Sequence, residues 1–277
     1  MIVITGATGN VGRTLVRILA EQGREVTAVS RRVAQTDVPP GVRVVATDLS
    51  QPSTGVHSEV DAVFLLVGGD LMMTGDPARV IAPFADAGKI VLLSSQGVTT
   101  RPGSLSHGQA FAAFERAVMA SATEWAILRP GGFASNAYAW APSIKANRTA
   151  AAPFAEIGLP VIDPDDIAAV AAVALTQQGH AKAIYELTGP ALITPRQRAT
   201  VLGDALGDPV TFIDQTREEA RAQMLTFMPA PVADTTLDIL GTPTLREQTV
   251  SPDVEKILGR APGSFADWAK RNIAAFR

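Results

Sequence analysis

The sequence predicts an α/β protein: a doubly wound parallel sheet with a smaller C-terminal lobe interleaved with it. Three observations predict this. Strand-like and helix-like stretches alternate through the first half, the order that builds a parallel sheet covered by helices. Residues 60–67 (VDAVFLLV) form a near-continuous apolar run, as a strand buried on both faces requires. Residues 1–4 are strand-like and lead straight into a turn with glycines spaced G-x-x-G-x-x-G, after which a helix pattern begins at once.

That first helix carries Val11, Leu15, Ile18 and Leu19 on one face, with Gly23 as its stop. A strand, a glycine turn and a helix N-terminus together make an anion cradle, because free main-chain N–H groups and the positive end of the helix dipole converge there. Gly6 allows the tight turn, Gly9 lets the backbone approach a pyrophosphate, and Gly12 lets the helix pack close to the strand. Thr8, Asn10 and Val11 fill the turn between them. This is where a Rossmann-type domain holds a dinucleotide; the alternative is a glycine-rich turn without a ligand.

Further strands are expected at 25–30, 42–46, 60–67, 89–95 and 124–129, with helices at 77–87 and 105–120. The second half predicts a short helix at 134–146 and a helix at 164–176 capped by Asp163, with Ile167, Val170, Ala171 and Ala174 on one face. A strand at 183–188, a helix from Thr194 to Leu206 and a short strand at 209–213 follow. Helices are expected at 217–227, 232–240 and 265–275. The expected division is a nucleotide-binding domain over 1–150, joined by about 160–190, and a mostly helical lobe over 191–277. Such a lobe would cover the C-terminal edge of the sheet and close a substrate cleft.

Composition narrows the function classes. Net charge is −3 and there is no Lys/Arg block, so no nucleic-acid footprint is visible. With no cysteine, disulfides, thiolate catalysis and zinc–cysteine sites are excluded, and no metal site is expected. The apolar runs are strand-length, too short to span a bilayer. A core strand at Met1 leaves no room for a signal peptide, so a cytoplasmic protein is expected.

The strand ends carry the remaining chemistry. Ser30, Arg31 and Arg32 close the second strand, where the adenosine ribose is read; an acid there selects NAD and an arginine there holds the 2′-phosphate of NADP. The first acid after the strand, Asp37, comes several residues too late, and two adjacent guanidiniums favour a phosphate. NADP(H) is therefore expected, with Arg31 the foremost contact; the alternative is a pair of solvated arginines. Asp48 either accepts from the adenine amino group or caps a turn, and Leu49 can pack on the ring. Leu66 and Val67, before Gly68-Gly69, end the fourth strand beneath the adenosine. Ser94-Ser95-Gln96-Gly97 ends the fifth strand beside the expected nicotinamide, and Pro130-Gly131-Gly132-Phe133 ends the sixth along it.

The glycine turn, the strand-end Ser-Ser and the Leu-Arg-Pro-Gly-Gly-Phe segment resemble the short-chain dehydrogenase/reductase superfamily. More narrowly, the chain resembles its atypical branch, the NmrA-like proteins and NAD(P)H-dependent quinone reductases. The segments at 162–168, 185–190, 250–252 and 265–268 are similar to that branch as well. The resemblance implies bound NADP(H) and an interleaved substrate lobe. One departure stands out: the Tyr-x-x-x-Lys of ordinary short-chain reductases is absent, since Tyr138 is followed four residues on by Pro142 and Tyr185 by Gly189. Phe111 stands where relatives often place a lysine or histidine, one turn before Glu115.

Remaining donors are His107, which can titrate near neutral pH or be a plain loop histidine, Ser95 and Gln96, which can polarise a carbonyl, and Tyr138. His57 and His180 receive no role. Phe133, Tyr138, Trp140 and residues 224–228 are candidate linings of an apolar cleft. The expected function is hydride transfer from NADPH to a small aromatic, quinone-like or conjugated carbonyl acceptor, which needs positioning more than a strong acid. The alternative is an NmrA-like redox sensor that binds the nucleotide, catalyses nothing and signals through a protein partner. A sugar-nucleotide epimerase is disfavoured by the missing Tyr-x-x-x-Lys, and the oligomeric state is left open.

Overall fold

A computed structural model describes residues 1–50, 60–121 and 124–277. They form two compact units, each drawn from three stretches of chain. The first unit (Met1–Pro130, Pro164–Glu186 and Lys256–Gly259) contains the expected doubly wound α/β sheet. Its strands are β1 (Ile2–Thr5), β2 (Val26–Ser30), β3 (Arg43–Ala46), β4 (Ala62–Leu66), β5 (Lys89–Leu93), β6 (Glu124–Pro130) and β8 (Ala183–Leu187), in the order β3-β2-β1-β4-β5-β6-β8. β1 to β6 pair in parallel. The chain runs outward from β1 to β3, then returns to lay β4 on the other side of β1, so the switch point lies between β1 and β4. All four residues of β1 and the first four of β4 are buried, which explains their unbroken apolar runs.

Helix α1 (Asn10–Glu21) buries Val11, Leu15, Val16 and Leu19 and packs on α7 (Pro164–Thr176). Thr14 Oγ1 donates to Asp165 Oδ1 between them, at 2.8 Å. Two expected helices differ in detail. The one at 77–87 stops as α3 (Pro77–Ile81) and tightens into a 3₁₀ turn at Ala82–Phe84, because Pro83 cannot donate within a continuing helix. The one at 105–120 opens with a π turn (Leu105–Ala110) before α5 (Phe111–Ser121). Gly108 sits against the main chain there: a methyl on it would fall 2.1 Å from the Arg101 carbonyl oxygen. Two short helices, α2 (Asp70–Thr74) and α4 (Gly97–Thr100), were not expected.

The second unit comprises Gly131–Asp163, Leu187–Glu255 and Arg260–Arg277; it begins at Gly131, whereas the sequence reading carried the first domain to 150. A 3₁₀ segment (Ala134–Trp140) and α6 (Ala141–Asn147) lead into β7 (Thr149–Pro153), which pairs in parallel with β9 (Thr211–Gln215). Helices α8 (Pro195–Leu206) and α9 (Arg217–Met224) pack against this ribbon, α10 (Ala230–Gly241) against α9 and α12 (Phe265–Asn272) against α8; α11 (Asp253–Leu258) precedes α12 and is divided, its first three residues in this unit and the rest in the first. Trp140, Ile144, Val161, Leu202, Phe265, Trp268 and Phe276 belong to its core. Among the described residues no helix is long and apolar enough to cross a membrane.

Candidate functional site

A crevice of about 880 Å³ opens in the first unit, lined by residues from the C-terminal ends of β1, β2, β3 and β4. The glycine turn forms one wall. Gly6 has φ +65°, a conformation that favours glycine, and a methyl there would meet Leu66 at 3.2 Å. Thr5 fixes that approach: its Oγ1 donates to Phe64 O at 3.1 Å and accepts from the Leu66 N–H at 2.8 Å. At Gly12 a methyl would fall 2.2 Å from the Gly6 carbonyl oxygen, so the helix can meet the strand this closely only through glycine.

The start of α1 is built to receive an anion. Gly9 occupies the N-cap and offers no side chain, and the first turn holds no acidic residue. Gly9 N–H is taken by Gly6 O at 3.0 Å and Arg13 N–H by Gly9 O at 3.0 Å. Among the described residues this leaves the amides of Asn10, Val11 and Gly12 without a main-chain acceptor, and both Gly9 and Asn10 are exposed. An uncapped helix start opening on a crevice fits a diphosphate.

Polar groups ring that wall. Thr8 Oγ1 and Ser30 Oγ share a hydrogen bond of 3.0 Å, joining the glycine turn to the end of β2. Arg31 lines the crevice and Arg32 is exposed. Two further arginines escaped the sequence reading. Arg13 folds back from α1 to donate to Thr8 O at 3.1 Å, and Arg79 of α3 lines the crevice. Asp48 Oδ1 accepts from Ser50 N–H at 2.9 Å, so the turn-capping alternative is present in the structure. Its carboxyl is held below the usual range, chiefly by the bonds from Ser50, with Arg31 adding a smaller pull. Leu49 and Leu66 line the crevice, and Val67 is buried in the core beneath.

A second group gathers in the same unit at the ends of β5 and β6. Ser94 turns inward and donates to Glu115 Oε1 of α5 at 2.6 Å. Arg129 grips both oxygens of that carboxylate, Nε at 2.9 Å and Nη at 2.6 Å. Ser94 and Glu115 are 4% and 3% exposed, so this is a core network rather than a lining. Glu115 was missed as a functional partner, although a carboxylate beside Phe114 and Val118 on a buried stripe is a legible sign of pairing. Ser95 Oγ accepts from Gly97 N–H at 3.0 Å, and Gln96 N–H donates to Pro130 O at 3.0 Å. His107 lies in the π turn with Nδ1 2.8 Å from Ser106 Oγ, and its Cβ presses on Gly97, where a methyl would fall 2.6 Å away. Ser95, Gln96 and His107 are thus brought together around α4.

Tyr138 and Phe133 belong to the second unit. Tyr138 donates its hydroxyl to Asn272 Oδ1 at 2.6 Å, and its ring meets Trp268 edge-on at 5.1 Å and stacks on Phe276 at 5.8 Å. Phe133 bridges to Ile162. His180 meets the Tyr185 hydroxyl at 2.7 Å, and burial lowers its pKa; His57 lies outside the described residues. Among the described residues no cluster of His and acidic side chains could hold a metal ion.

An open helix start at the switch point of a parallel sheet defines a dinucleotide-binding protein. The chain belongs to the NAD(P)H-binding family, whose model matches residues 6–178. It is 32% identical over 284 residues to the (4-alkanoyl-5-oxo-2,5-dihydrofuran-3-yl)methyl phosphate reductase of Streptomyces griseus, covering 100% of this chain and 99% of the relative. It is 32% identical over 286 residues to the NAD(P)H azoreductase of Xenophilus azovorans, at 100% and 99% coverage. The NADPH complex of an Escherichia coli NADPH-dependent quinone oxidoreductase shares the fold, with a TM-score of 0.80 at 22% identity over 98% of this chain and 99% of that one.

Proposed function

We propose that this protein is an NADPH-dependent reductase of small, electron-poor conjugated acceptors. The observation that carries the reading is the uncapped start of α1 beside Arg31, with no acid at the end of β2 to receive a free ribose hydroxyl. On this reading the amides of Asn10 and Val11 hold the diphosphate, and Arg31, helped by Arg13 and the Thr8–Ser30 pair, holds the 2′-phosphate. The bound dinucleotide supplies a hydride. Ser95 and Gln96 orient and polarise the acceptor, His107 returns a proton, and the second unit serves as the substrate lobe. Tyr138 receives no such role, because its hydroxyl is bonded within the packing of that unit.

The acceptors named for the relatives support the substrate class: an acyl furanone, an azo compound and a quinone. Each spreads incoming charge over a conjugated system, so positioning suffices where a ketone would need a strong acid. That accords with the missing Tyr-x-x-x-Lys. The same absence favours the second reading, a nucleotide-binding redox sensor. The test is loss of reduced-nicotinamide absorbance with panels of quinones, azo dyes and enones. Turnover supports the reductase; tight NADPH binding without turnover of any panel member removes it in favour of the sensor.

A further inference from the structure

We propose that Arg79 of the first unit stacks its guanidinium on the adenine of the bound nucleotide. This rests on the nucleotide placement argued above, and it adds a contact to the base where that placement has contacts only to phosphates. Arg79 stands on α3 and lines the crevice, as does Pro83 one turn further on. The next residue, Val80, is buried in the core of the unit and anchors this part of α3.

Arg17 shows what a paired arginine looks like in this unit: it is exposed and meets Glu21, four residues on, at 3.1 Å. Arg79 is also exposed, but among the described residues it has no hydrogen-bond or ion-pair partner. The described lining of the crevice holds two acids, and each takes a main-chain N–H of its own turn. Asp48 Oδ1 accepts from Ser50 N–H at 2.9 Å, and Asp76 Oδ1, at the N-cap of α3, accepts from Ala78 N–H at 3.0 Å. Asp76 lies three residues before Arg79, a spacing at which acid–base pairs form on helices, yet the two make no ion pair. The guanidinium is left for a ligand in the crevice.

The lining decides which part of the nucleotide that is. Thr8, Ser30 and Arg31, from the ends of β1 and β2, are polar and suit phosphate. Leu49, Leu71 and Val80 are apolar and share one core cluster. Apolar side chains offer a phosphate nothing, but give the face of a base a surface to lie on. Arg79 adjoins Val80 in this apolar part. The helix that carries it follows β4, which lies on the far side of β1 from β2. A planar guanidinium lies flat on an aromatic face and keeps its edge donors in water, so it can stack on a base without a carboxylate partner. The leucines take one face of the adenine and Arg79 takes the other.

NADPH and NADH, titrated calorimetrically into the full chain and its variants, test the stack. Both carry adenine, so Arg79→Ala should weaken the two by the same factor, about three- to thirtyfold. Arg79→Lys keeps the charge, loses the plane and should recover only a small part of that loss. An unchanged urea midpoint in each variant verifies the fold. Adenosine 2′,5′-bisphosphate gives a second readout. It should move the Arg79 Nε–H proton resonance of the wild type, assigned by its absence from Arg79→Ala, upfield by the ring current of the stacked base; ribose 5-phosphate should not. A loss confined to NADPH would make Arg79 a second phosphate ligand and overturn the stack, as would equal affinities in wild type and Arg79→Ala or full recovery by lysine. If Arg31→Ala still weakens NADPH selectively in those cases, only the stack falls. If the wild type binds neither dinucleotide, or neither arginine affects binding, the placement of the nucleotide falls with it.

Discussion

The last two glycines of the turn, Gly9 and Gly12, do different work, and the distances separate them. At Gly9 an added methyl would sit 3.3 Å from Gly6 O, a contact a small adjustment can relieve. Gly9→Ala should change stability by less than about 1 kcal/mol, yet place a methyl where the diphosphate approaches. NADPH affinity, measured by calorimetry, should fall at least about tenfold for a displaced charge-assisted contact. At Gly12 the methyl would sit 2.2 Å from the same oxygen, and helix and strand must part. Gly12→Ala should lose roughly 1–3 kcal/mol in urea unfolding as well as binding. An alanine at position 12 that melted like wild type would contradict the close-approach account. Arg31 tests cofactor choice: Arg31→Ala should weaken NADPH about tenfold or more and leave NADH nearly unchanged, because only NADPH carries the 2′-phosphate. Equal losses for both nucleotides would mean that Arg31 reads something other than that phosphate.

At the level of elements, the buried Ser94–Glu115–Arg129 network ties the end of β5 to α5 and β6. Removing the carboxylate strands an arginine whose side chain is only 11% exposed. Glu115→Ala should therefore cost about 3–5 kcal/mol, read as a drop in the urea midpoint. Helix α12 gives a pH prediction. Ser264 and Asp267 form its capping box, and the Asp267 carboxyl is held below its usual 3.8, first by the Ser264 side chain and then by its backbone N–H. A depressed folded pKa gives stability that is present above 3.8 and lost as pH falls through the lower, folded value. The melting difference between wild type and Asp267→Asn should therefore be present at neutral pH and shrink below the ordinary carboxylate range; a constant difference would deny the cap its charge. Such boxes are legible in sequence, as are the strands, whose apolar runs reflect burial on both faces. β7 was not: Thr-Ala-Ala-Ala-Pro has little strand propensity and becomes a strand by pairing with β9. The π turn was hidden as well: the close approach of Gly108 to the Arg101 carbonyl that accompanies it leaves no mark in the apolar pattern. The same applies to the site: the glycines and Arg31 announce themselves by position after a strand, whereas Arg13 and Arg79 gain meaning only from what tertiary packing sets beside them.

For the molecule as a whole, the nucleotide-binding unit is not finished by the first 130 residues. It takes α7 and most of β8 from Pro164–Glu186 after the chain has passed through Gly131–Asp163 of the other unit. Helix α7 packs on α1 and against β4, β5 and β6, burying Ile167, Val170 and Leu175 among others. At about 1.5–3 kcal/mol for each of those three side chains, their loss is comparable with a typical domain stability of about 5–15 kcal/mol. β6 would also become an edge, its main chain open along the side that β8 now covers. A polypeptide of residues 1–130 should therefore show no cooperative melt and no stabilisation by NADPH, although it carries every glycine of the turn and Arg31. The full chain should gain about 2.7 kcal/mol at NADPH a hundredfold above its dissociation constant. A cooperative, NADPH-shifted transition in the shorter polypeptide would show that the crevice folds without α7 and β8, and that the interleaved order of the chain serves something other than completing the nucleotide site.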